Sequence, residues 1–241
     1  MIWALAFALL FMVLGGDSPF VVPKLDNHVK EHVVDDNRKH IVLDLIKKSS
    51  KKRKEIVKKN KKLEKKLSKS FKSRETTQAD FDKAIDEIIA NQLESQELNM
   101  MVTRESQKNI TQEEWIKIEA DVAKDLEKTD KKRTKRSAKQ EKVFNKLEDR
   151  VTKNIADAGK QKLALESIER LKQVYLKNYK IVQDELLNKE SVMYQYKAPE
   201  EELKSLQDEF IKLAKEFFST TTKTHFELVK LTTPEEWNKI Y

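Results

Sequence analysis

An all-α fold is predicted for this chain: an elongated up-down bundle of long antiparallel helices with coiled-coil-like hairpins. Three observations predict it. Glycine occurs three times and proline four times in 241 residues, too few for the turns of a strand-rich fold. Apolar residues recur at helical spacing over long stretches. Charged residues reach 37% against 38% hydrophobic, which suits narrow apolar seams flanked by solvated faces.

Four segments follow from composition and boundary signals. Residues 1–16 form an apolar leader without a charge. Its length matches a signal-peptide core and falls short of the roughly 20 apolar residues of a spanning helix. No basic residue precedes the core, so the leader is expected to act as a signal peptide or an N-terminal membrane anchor. The body is then expected to be extracytoplasmic, periplasmic or secreted, or tethered to a membrane. Residues 17–35 read as linker and short helix, 36–158 as a charged three-helix bundle, and 159–241 as a helical hairpin with a terminal turn.

Within these segments helices are expected near 24–34, 36–75, 78–109, 112–158, 160–192 and 200–231. Pro19, Pro23, Pro199 and Pro234 all fall at boundaries. Thr77-Gln-Ala-Asp80, Thr111-Gln-Glu-Glu114 and Thr233-Pro-Glu-Glu236 each place a cap hydroxyl three residues before an acid. The hydroxyl can accept an orphan amide while the acid reaches back to the cap amide. Gly159 is expected only to dent a helix, at a cost of about 1 kcal/mol. Leu203, Leu206, Phe210, Leu213 and Phe217 step by three and four, a seam that faces Ile168, Leu171, Tyr175, Tyr179 and Val182. The β-branched run 219–224 is expected to fray or break the last helix. Arg53 and Asn60 interrupt the Ile46/Leu67 stripe, and polar residues on such a seam can fix register and partner number, so a homo-oligomer is one expected state.

Charge is segregated along the chain. Residues 47–74 hold fifteen Lys and Arg against Glu55 and Glu64, and residues 128–142 hold eight bases against two acids. Folded up and down, 60–74, 78–92 and 128–142 would meet at one end with charges of +6, −3 and +6. The candidate anion-binding residues of that basic pole are Lys61, Lys62, Lys65, Lys66, Lys69, Lys131, Lys132, Arg133, Lys135 and Arg136. Lysine clusters attract phosphate or carboxylate polymers and anionic lipid headgroups without specific geometry. Few aromatics interleave with the lysines and arginine is scarce, which disfavours nucleic-acid stacking and base reading.

One motif carries metal chemistry. His28-Val-Lys-Glu31-His32 matches the H-x-x-E-H pattern of inverted zinc proteases. On a helix His28 and His32 share a face, with Asp35 beside them at i+7. That set could hold Zn²⁺ or Cu²⁺. A protease is disfavoured, because those enzymes shape their clefts with strands that this sequence does not predict. His40 and His225 stand alone and read as surface or seam residues.

The remaining chemistry is sparse. No cysteine is present, so there is no thiol nucleophile, disulfide or cysteine–metal site. No glycine-rich phosphate loop or G-x-S-x-G elbow exists. The sequence therefore predicts a protein that is not an enzyme, requires no cofactor, and works by binding. Its class is an interaction, scaffold or chaperone-like protein, with an anionic polymer or membrane surface as the alternative target. A metal-responsive protein built on His28 and His32 is the third class.

Overall fold

The computed structural model describes residues 20–188 and 191–241, so the leader expected at 1–16 lies outside the described residues. The fold is all-α, with no strand among the described residues. Its helices are α1 (Leu25–His32), α2 (Asp36–Ser70), α3 (Gln78–Gln107), α4 (Gln112–Asn154), α5 (Ala158–Ile181), α6 (Glu200–Leu231) and α7 (Pro234–Ile240). A π-helical turn, Val182–Leu186, closes α5, and a 3-10 turn, Val192–Tyr194, precedes α6. No helix among the described residues is long and apolar enough to cross a membrane.

The caps read from the sequence are formed. Thr77, Thr111 and Thr233 each make a complete capping box with Asp80, Glu114 and Glu236. Two boundaries differ from expectation. The break between α4 and α5 falls at Ile155, which is extended, and Asp157 caps α5 through its bond from the Lys160 amide, so Gly159 lies in the first turn. The run 219–224 does not break α6. Thr220, Thr221 and Thr222 donate their hydroxyls to the carbonyls of Glu216, Phe217 and Phe218, which satisfies them inside the helix.

The consecutive pairs α2–α3, α4–α5 and α5–α6 pack antiparallel. In α2 and α3, Phe71 meets Phe81 at 4.5 Å between ring centroids. Lys52 and Lys59 both reach Glu94, at 3.6 and 3.8 Å. That register sets Ile46, Ser49, Arg53, Ile56, Asn60, Leu63 and Leu67 against, in turn, Val102, Asn99, Ser95, Gln92, Ile88, Ile85 and Phe81, a heptad seam on both sides. Its middle is polar: buried Gln92, Gln96 and Asn99 separate the main core from a small cluster of Ile56, Leu98 and Val102. In α5 and α6 the expected seam forms, with Tyr175 6.3 Å from Phe217, and the Asn178 amide donates to the Leu213 carbonyl.

Helix α4 ties the two ends of the molecule together. It packs on α5 through Phe144 and Tyr175 and through the Glu148–Lys172 pair. At one end Arg38 of α2 binds Glu114 of α4. At the other, Arg150 donates to the Ile240 carbonyl, and Trp237 on the same short helix donates its indole N–H to the Lys72 carbonyl. An aromatic cluster closes that second end: His225 touches Phe71, Phe81, Phe226 and Trp237 at 5.0–5.6 Å between ring centroids.

Candidate metal centre

Helix α1 is short, and its sequence leaves it one way to dock. Leu25, Val29 and Val33 repeat every four residues and are buried, so the helix turns that stripe inward. His28 and His32 occupy the adjoining stripe, also four apart, and are carried to the face of α4. On α4, Trp115, Ile118, Val122 and Leu126 form the buried stripe, and Asp121 and Asp125 flank it one turn apart. Two i,i+4 histidines therefore meet two i,i+4 aspartates.

The atoms converge closely. One ligand atom from each of His28, Glu31, His32 and Asp121 lies within 4.8 Å of all the others. His32 Nε2 is 2.7 Å from Asp121 Oδ2, and His28 Nδ1 is 4.0 Å from the same oxygen. His28 Nε2 faces Asp125 Oδ2 at 3.4 Å. A tetrahedral Zn²⁺ with bonds near 2.1 Å requires ligand separations of about 3.4 Å, so side-chain shifts of order 1 Å would close the set.

Electrostatics keep the acids ionised. Lys124, 2.8 Å away, and then His32 hold the Asp121 carboxyl down at about 2. Burial pushes Asp125 upward, but Lys24 at 2.7 Å, with Lys128 and His28, outweighs it and leaves the carboxyl below its usual range. His28 is the unusual member. Its side chain is only 9% exposed, yet neither ring nitrogen has a hydrogen-bond partner. Asp125 Oδ2 is likewise buried and unpartnered. Buried polar atoms left unpaired cost about 1–3 kcal/mol each, which a bound cation would offset.

The third ligand expected from the sequence is corrected. Asp35 does not sit on the face of His28 and His32, because α1 ends at His32 and Val33 turns extended. Asp35 instead caps α2, accepting the Arg38 amide at 2.8 Å. The acids that converge with His28 and His32 are instead Glu31 and Asp121, the latter 89 residues beyond His32.

The basic stretches are placed differently from the histidines. Lys61, Lys62, Lys65, Lys66 and Lys69 line the exposed face of the last turns of α2, with no ion-pair partner within 4.0 Å among the described residues. Lys131, Lys132, Arg133, Lys135 and Arg136 lie at the midpoint of α4; Lys135 is exposed, and the side chains of the other four are outside the described set. Helix α4 comes level with the end of α2 only near Arg150. Residues 61–69 stand about 5–17 Å short of Lys72 along α2, and residues 131–136 about 20–30 Å short of Arg150 along α4, at about 1.5 Å per residue.

Of the lone histidines, His40 is exposed and His225 is fully buried in the aromatic cluster, where desolvation lowers its pKa to about 4. Comparison with protein-family models, with curated proteins and with solved structures finds no match to this chain.

Proposed function

We propose that this is a non-enzymatic helical interaction protein whose α1–α4 joint is closed by a divalent transition metal, Zn²⁺ in the first instance. The observation that carries the reading is the convergence of His28, Glu31, His32 and Asp121 within 4.8 Å, around a buried imidazole whose nitrogens are both unpartnered. Two imidazoles and two carboxylates form a nitrogen and oxygen donor set suited to Zn²⁺. The two carboxylates neutralise its charge in a half-buried site, and the metal would cross-link a short segment to the longest helix. Titration of the full-length protein with zinc against a chromophoric chelator tests it. His28→Ala and His32→Ala should each weaken binding at least tenfold; affinity equal to wild type in both variants rejects the centre.

A second reading has its own support. The exposed lysines from Lys61 to Lys69 carry no ion-pair partner among the described residues, whereas Lys52 and Lys59, earlier on the same helix, are occupied by Glu94. That face suits an anionic polymer, an anionic membrane surface or an acidic protein. Binding of such a partner should collapse in 0.5 M salt, where the screening length is roughly 4 Å. Persistence there removes the lysine face as the driver.

A further inference from the structure

We infer that Asp125 is the positioning residue of the α1–α4 metal centre. With metal bound, its Oδ2 would accept the Nε2–H of His28, so that the His28 Nδ1 lone pair binds the metal beside Asp121. This rests on the metal reading above and adds to it the tautomer of one ligand and the residue that sets it.

The geometry makes the two histidines inequivalent. His32 reaches only Asp121, whereas His28 stands between both aspartates, with Nδ1 toward Asp121 and Nε2 toward Asp125. Asp125 Oδ1 is already held by Lys24 at 2.7 Å, with Lys128 at 3.7 Å. Its remaining oxygen is buried, has no partner and lies 3.4 Å from the His28 nitrogen that points away from the metal ligands. Ring and carboxylate are both about nine-tenths buried, so water is a poor substitute on either side. At 3.4 Å the two atoms are close but misaligned for a hydrogen bond. Coordination at Nδ1 would turn the ring and align them, and a carboxylate accepting from the far N–H makes a ligating imidazole more basic. Lys24, last residue before α1, then acts at one remove by fixing the Asp125 carboxylate.

The test uses the full chain loaded with zinc. Long-range ¹H–¹⁵N correlation spectra of wild type should show His28 metal-bound at Nδ1 and protonated at Nε2. Asp125→Ala should weaken zinc 10–100-fold, and Asp125→Asn, which keeps an acceptor oxygen, should recover part of that loss. Metal bound at His28 Nε2, or an Asp125→Ala affinity within twofold of wild type, overturns the role of Asp125 while leaving the metal centre standing. Absence of zinc binding by the wild type removes both. The wild-type spectra keep the inference exposed to refutation even if Asp125→Ala fails to fold.

Discussion

Arg38 forks onto Glu114, with one guanidinium nitrogen 2.7 Å from Oε2 and the other 2.9 Å from Oε1, and so joins the start of α2 to the start of α4. The same carboxylate accepts the amides of Val34 and Thr111 at 3.0 and 2.9 Å. The Arg38 bonds first, then those amides, outweigh burial and bring its pKa down to about 2. Glu114→Ala should therefore destabilise the fold by about 2–3 kcal/mol in urea denaturation, since it strands two backbone donors as well as the guanidinium. The contribution is fully present above about pH 4.5 and is lost as the pH falls toward 2, because the unfolded carboxyl binds its proton first.

His225 titrates in a different window. Its folded pKa of about 4 lies below the ordinary 6.5, so the neutral ring is the form the fold holds. Stability from this residue is intact above pH 6.5, declines as the pH drops from 6.5 to 4, and levels off below. The full effect is about 3 kcal/mol, at 1.36 kcal/mol per unit. Denaturation of wild type and His225→Leu at pH 7 and pH 4 measures it: the variant should lack that part of the pH dependence, and parallel curves would refute it.

Zinc at one hundred times its dissociation constant should stabilise the folded chain by about 2.7 kcal/mol. For a chain of this length that corresponds to a rise in Tm of about 5–10 °C. Chelator should reverse the rise, and His32→Ala at the same zinc concentration should cut it by about half or more. Calorimetry with and without metal reads this directly.

The polar middle of the α2–α3 seam makes a prediction of opposite sign. Gln96 is fully buried with neither amide atom hydrogen-bonded. Gln96→Leu should stabilise the monomer by about 1–2 kcal/mol, because it removes two unmet polar groups and extends the Ile56 cluster. Register is the quantity at risk, since buried amides penalise slipped or alternative pairings. Analytical ultracentrifugation of the variant should show increased self-association.

The fold was legible where one local rule sufficed. Threonine followed three residues later by an acid marked three helix starts, and the 3,4 spacing marked the α5–α6 seam. The candidate metal centre was legible only in half. His28 and His32 announce themselves by spacing on eight residues, but Asp121 and Asp125 look like any solvated acids on a helix full of charge. Only the docking of α1 makes them special. Asp35 reads as a residue on the histidine face because Val33 and Val34 continue the apolar pattern, whereas the helix ends at His32 and Asp35 caps the next one. The 219–224 run misled through propensity: the back-bonded hydroxyls that lower threonine's standing in isolated helices are tolerated once Thr221 and Thr222 are packed inside.

The Trp237–Lys72 hydrogen bond spans 165 residues. Ribosomes add about 5–20 residues per second, so Phe71 and Phe81 wait on the order of 10–30 s before the indole that completes their cluster is made. Throughout that interval the tip of the α2–α3 hairpin is an uncovered aromatic surface on a nascent chain. The lysines and acids that flank that tip would oppose its association through like-charge repulsion and solvation, a physical consequence of the helices' charge that matters before the chain is complete.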